Sequence, residues 1–110
     1  MAICLCHTDD IPESGARGFD LPQASILAVK KSGRIFTYFN SCPHQQLPLE
    51  WKRHEFLDNE GNFLKCSNHG ALFNIHDGLC IQGPCKGDTL ESLPYTLENG
   101  SIMIAVTDLP

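Results

Sequence analysis

Prolines at positions 12, 22, 43, 48, 84 and 94, with nine glycines among them, interrupt this chain too often for long helices. The stretches between them read as strands. Residues 25–30 (SILAVK) and 34–40 (RIFTYFN) are β-branched and aromatic, and Lys31-Ser32-Gly33 between them predicts a hairpin turn. Asn99-Gly100 sits between strand-like runs at 95–98 and 101–106, a strong short-range hairpin signal. Near the start, residues 3–7 alternate, with Ile3, Leu5 and His7 on one face and Cys4 and Cys6 on the other. Shorter strands are predicted at 63–65, 71–75 and 79–81, with Asp77-Gly78 as another tight turn. Only 45–53 and 87–92 offer room for a helical turn. The expected fold is all-β, a small antiparallel β-sandwich or barrel.

At 110 residues the chain is long enough for one domain, residues 1–110, with one real core. A net charge of −5, with basic neighbours only at Lys30-Lys31 and Lys52-Arg53, argues against nucleic acid, which needs a concentrated basic face. No apolar run approaches the length that spans a bilayer, so no membrane partner is expected. The first basic residue is Arg17, and Asp9-Asp10 follow the short apolar start, so a secretory signal is not expected and the expected location is cytoplasmic. Six cysteines are many for such a compartment and point to metal or redox chemistry before disulfides.

The middle section, about 41–86, concentrates Cys, His, Gly and Pro. Two motifs stand out there: Cys42-Pro43-His44 and Cys66-Ser67-Asn68-His69-Gly70. Each pairs one thiolate with one imidazole beside turn-forming residues, and together they make a four-ligand set. A tetrahedral Cys₂His₂ zinc site would use all four. A finger-type zinc site pairs its cysteines on a hairpin and its histidines on a helix, whereas here each motif is mixed. The alternative is a [2Fe–2S] centre in which two Cys hold one iron and two His the other, which needs one Cys and one His from each loop. No Ser/His/Asp arrangement, carboxylate pair or phosphate-cradling loop suggests catalysis.

On these motifs the chain resembles the Rieske iron–sulfur family. Gly83-Pro84 downstream matches that family's proline loop, and residues 61–85 (GNFLKCSNHGALFNIHDGLCIQGPC) are similar to the soluble Rieske ferredoxins. The runs "IPESGARGFDL" and "LPYTLENGSIMI" extend the resemblance to nearly the whole chain. It implies a Rieske-type fold with a cluster-binding subdomain at about 41–86 and one [2Fe–2S] cluster per chain. It further implies that Cys42 and Cys66 ligate the inner iron and His44 and His69 the outer one. The implied function is that of a low-potential carrier, not an enzyme, passing single electrons from a flavin reductase to a terminal oxygenase. The alternatives are a non-catalytic small subunit of a larger oxidoreductase, similar to that of nitrite reductase, and a structural zinc module.

The remaining candidates have plainer readings. Cys4 and Cys6 are expected to be buried as small apolar residues. Cys80 and Cys85 bracket the proline loop; a disulfide there would stiffen it, but in a reducing compartment thiols packed beside the cluster are the expected form. His7, His54 and His76 match no ligand position, and Trp51 reads as core. Residues 52–62 read as a polar surface insertion between the motifs. Where the family's high-potential branch carries a Ser and a Tyr near the cluster, this chain has Ala71 and Phe73. Where that branch carries a disulfide between the two cluster loops, it has Leu47 and Asn68. A potential of about −150 to −100 mV is therefore expected.

Overall fold

The computed structural model describes residues 1–43, 49, 54–67 and 70–110. Among them there are nine strands, all paired antiparallel, two 3₁₀ turns at Thr8–Asp10 and Val106–Asp108, and no α-helix. The strands are β1 (Ala2–His7), β2 (Gly15–Asp20), β3 (Ser25–Lys31), β4 (Arg34–Phe39), β5 (Phe63–Cys66), β6 (Ala71–Asn74), β7 (Cys80–Gln82), β8 (Thr96–Glu98) and β9 (Ser101–Ala105). They form three three-stranded sheets, ordered β1-β9-β8, β2-β3-β4 and β5-β6-β7.

The β2-β3-β4 sheet is the middle layer. Along β3, Ile26 and Ala28 join a core shared with Ile102 and Ile104 of β9, while Leu27 and Val29 join Leu64, Cys66 and Phe73 of the third sheet. Both faces of β3 are thus covered, which is why it reads as an unbroken apolar run rather than an alternating one. The predicted hairpin turns are present. Ser32-Gly33 and Asn99-Gly100 both have positive φ at each residue, the backbone that matches the twist of the flanking strands. Gly100 is required for a second reason: a Cβ there would lie 2.3 Å from the His7 ring. That ring accepts from the Asp9 N–H, and the Asp10 carboxylate accepts from the His7 N–H, so His7 works as a cap.

Four expectations need correction. The segment at 15–20 (GARGFD) was not anticipated as a strand, because its glycines carry little strand preference. Cys4 is exposed rather than buried, since a bulge between Cys4 and Cys6 breaks the alternation of β1 and turns Leu5 and Cys6 together onto the core. The 87–92 segment is not helical: Thr89 bridges Leu79 and Ser92 bridges Tyr38 in extended pairs. The insertion is more than a surface loop. Its Phe56 is fully buried, its carbonyl accepts from the Lys65 N–H at 2.7 Å, and Leu57 bridges Leu64. The possible helical turn at 45–53, apart from Leu49, and Trp51 lie outside the described residues.

Glu13 ties the β3–β4 turn to the strand entry. Its carboxylate accepts from the backbone N–H groups of Ser32 (2.7 Å) and Gly33 (2.9 Å), and these bonds hold its pKa below the ordinary value. A lowered folded-state pKa stabilises the fold above the unfolded value and loses that contribution as pH falls through the folded one. Glu13→Gln should therefore lower stability near neutral pH and flatten its decline below about pH 4.5, where free glutamate titrates. Parallel urea titrations of the two proteins at pH 7 and pH 3 check this.

Candidate metal centre

Three connections converge at one end of the third sheet. The first leaves β4. Asn40 is buried, donates from Nδ2 to the Ser25 hydroxyl (3.2 Å) and accepts the Leu49 N–H on Oδ1 (2.9 Å). One side chain thus pins both the start and the far side of the first motif's loop to the middle sheet. Two residues on, Cys42 is 2% exposed.

The second connection is the β5–β6 turn. Cys66 ends β5 with no exposed surface and pairs with Ala71, and its carbonyl accepts the Gly70 N–H at 2.8 Å. Gly70 has φ +68°, a conformation glycine adopts without penalty. The Ser67 N–H donates to the Leu49 carbonyl at 2.7 Å, lacing the second motif to the first. Cys42 and Cys66 consequently meet in one buried cluster with Ala71, Phe73, Cys80 and Cys85.

The third connection is the loop after β7. Gly83 has φ +107°, and a Cβ on it would lie 2.8 Å from the Ala71 Cα. The loop backbone thus lies directly against the residue that follows the second motif. Gly83→Ala should cost about 2–4 kcal/mol from backbone strain and overlap together. A fall in Tm of several degrees in the purified variant is the check; an unchanged Tm would mean that the loop does not rest on β6.

The chemistry of this region is that of thiols in an apolar setting. Burial first, then the neighbouring Cys80 and Cys42 thiols, push the Cys85 pKa up to about 12. The Cys85 sulfur lies 3.0 Å from that of Cys80. Among the described residues no group of three or more His, Cys, Asp or Glu side chains is assembled for a metal. The two motif cysteines are half of the expected donor set, and its other half, His44 and His69, lies outside the described residues. The buried pair fits the inner position of an iron–sulfur cluster, where thiolates in a low-dielectric site meet a ferric ion.

The other histidines serve the scaffold or the surface. His54 accepts the Gly18 N–H at 2.9 Å, and His76 is exposed beside Asp77. One contributor to the site was not anticipated: Asn40, which the sequence shows only as the polar end of an aromatic strand.

Comparison with known proteins agrees with this geometry. The family model described as Rieske [2Fe-2S] domain matches residues 1–96. The ferredoxin component of an alkene monooxygenase system from Xanthobacter autotrophicus is 31% identical over 106 residues, covering 96% of this chain and 82% of that protein. Apoptosis-inducing factor 3 of Mus musculus is 28% identical over 100 residues, which are 91% of this chain but 16% of that protein. Among solved structures, the ferredoxin of carbazole 1,9a-dioxygenase from Nocardioides aromaticivorans superposes with a TM-score of 0.76 at 16% identity, covering 96% of this chain and 97% of that one. The Sphingomonas yanoikuyae B1 ferredoxin gives 0.74 at 21% identity, covering 94% and 97%. These two superpositions speak for the fold alone.

Proposed function

Because the chain belongs to the Rieske [2Fe-2S] domain family, we propose that it carries single electrons from a flavin reductase to a terminal oxygenase and is not itself an enzyme. The observation that carries this reading is the meeting of Cys42 and Cys66 in one buried cluster with Ala71, against which Gly83 of the proline loop lies. In this reading Cys42 and Cys66 hold the inner iron, and His44 and His69 hold the outer one. Bound there, the cluster accepts and releases one electron. The protein keeps the thiolates away from water and sets the donors around the sulfurs.

The unit is residues 1–110, with 41–86 as the cluster-binding part. Among the described residues no helix is long and apolar enough to cross a membrane. The location is cytoplasmic, where a reductase and an oxygenase would both be in reach. An acidic balance of −5 suits a carrier steered towards basic docking faces. Likeness to a monooxygenase ferredoxin component over most of both chains favours the carrier over a nitrite-reductase-type small subunit or a zinc module.

The test is anaerobic titration of the purified protein with a reduced flavoprotein reductase. One electron equivalent per chain should bleach the visible spectrum, and adding an oxygenase should restore it. Failure to take up an electron would defeat the reading.

A further inference from the structure

Cys80 and Cys85 have no place in the proposed ligand set, yet their sulfurs are held in direct contact. The Cys85 sulfur donates to the Cys80 sulfur at 3.0 Å, and the Cys80 sulfur donates to the Gln82 carbonyl at 3.2 Å. The contact is built by the backbone. Cys80 N–H donates to the Asp88 carbonyl (2.8 Å), Gly87 N–H to the Cys80 carbonyl (3.0 Å) and Asp88 N–H to the Cys85 carbonyl (2.8 Å). Those three bonds close the neck of the proline loop and fix both cysteines across it. The sulfurs are buried, while Gly83, Pro84, Lys86 and Gly87 of the same loop are exposed. Reaction therefore needs the loop neck to open, a local fluctuation that exposes both sulfurs.

We propose that Cys80 and Cys85 are a redox-modification site, a dithiol that closes to a disulfide across the neck of the proline loop. The oxidant is a small disulfide of the glutathione type. One cysteine sulfur attacks its S–S bond and expels a first thiol; the second cysteine attacks the resulting mixed disulfide and expels the other. Two S–H bonds are lost, one S–S bond forms, and the two electrons and two protons leave with the oxidant as two thiols.

The consequence for electron transfer rests on the ligand reading above. Cys85 shares the buried cluster with Cys42. In the dithiol its S–H is within hydrogen-bond reach of both the Cys80 and the Cys42 sulfurs; in the disulfide that donor is gone. Donors near the cluster sulfurs favour the reduced, more negative state. Closing the disulfide should therefore lower the potential, so that the thiol poise of the cell sets how readily the carrier accepts an electron.

The experiment treats the full-length holoprotein with glutathione disulfide, then maps bridges by mass spectrometry after blocking free thiols. The expected result is a loss of two hydrogens assigned to a Cys80–Cys85 bridge, reversed by dithiothreitol, with iron content unchanged. Voltammetry should show a lower potential for the bridged form. Cys85→Ala should form no bridge, and its potential should not respond to the oxidant. Free thiols at both positions while the exposed Cys4 carries glutathione would overturn the proposal. So would a bridge seen only in protein that has lost its iron. A bridge with an unmoved potential would support the modification site and overturn its link to Cys42. A protein that holds zinc instead of iron yet forms the bridge would sink the cluster reading and leave the thiol pair standing.

Discussion

Cys42→Ser and Cys66→Ser should each yield protein without its cluster, colourless and depleted in iron. Both sulfurs are buried in one apolar cluster, where a serine hydroxyl is a poor iron ligand and an ill-matched filling. A hydroxyl left without a partner in such a site costs about 1–3 kcal/mol, so these variants should also melt earlier. Replacing His44 or His69 should lose or transform the cluster, since each provides the sole imidazole of its motif. Cys4→Ser and Cys6→Ser should leave it intact. Cys4 is exposed, and Cys6 packs against a separate core with Ile11 and Ile102, on the opposite side of the middle sheet. Iron content and visible absorbance of the six purified variants check the pattern. A colourless Cys4 variant, or a normal Cys66 variant, would break the assignment.

The second large effect concerns the reduction potential. Ala71 and Phe73 are both buried, and the alternation of β6 turns both towards the cluster of side chains that contains Cys42 and Cys66. Neither has a hydroxyl to donate to a sulfur, and Leu47 and Asn68 cannot form a disulfide. The potential should lie near the low end of the Rieske range, about −150 to −100 mV. That suits electrons arriving from a reduced flavin. Phe73→Tyr should raise it by placing an O–H where the ring edge now lies, and Ala71→Ser with Phe73→Tyr should raise it further. Gly83 lies close over Ala71, so the single Phe73→Tyr variant is the cleaner measurement. A clearly positive wild-type potential in voltammetry would refute both the low-potential assignment and the pairing with a flavin reductase.

The strongest strands and turns were legible because their signals are local. β3 and β4 show as aromatic and β-branched runs, and Ser32-Gly33 and Asn99-Gly100 carry the left-handed backbone that their turns need. β2 was not, because Gly15 and Gly18 give it no propensity of its own; its register comes from pairing with β3. The bulge in β1 has no sequence marker, so the exposure of Cys4 could not be read from alternation. The four proposed ligand positions stand out in the sequence by their spacing as two mixed pairs. The support that Asn40 gives the loop after Cys42 was not legible, because its bonds to Leu49 and Ser25 exist only in the folded chain.

Metal and sulfide analysis, combined with electron paramagnetic resonance of the dithionite-reduced protein, tests the central claim most directly. The account predicts two irons and two acid-labile sulfides per chain, a red-brown colour, and a rhombic signal that appears only on reduction, from a cluster held by two thiolates and two imidazoles. One zinc per chain, no sulfide and no signal would contradict it.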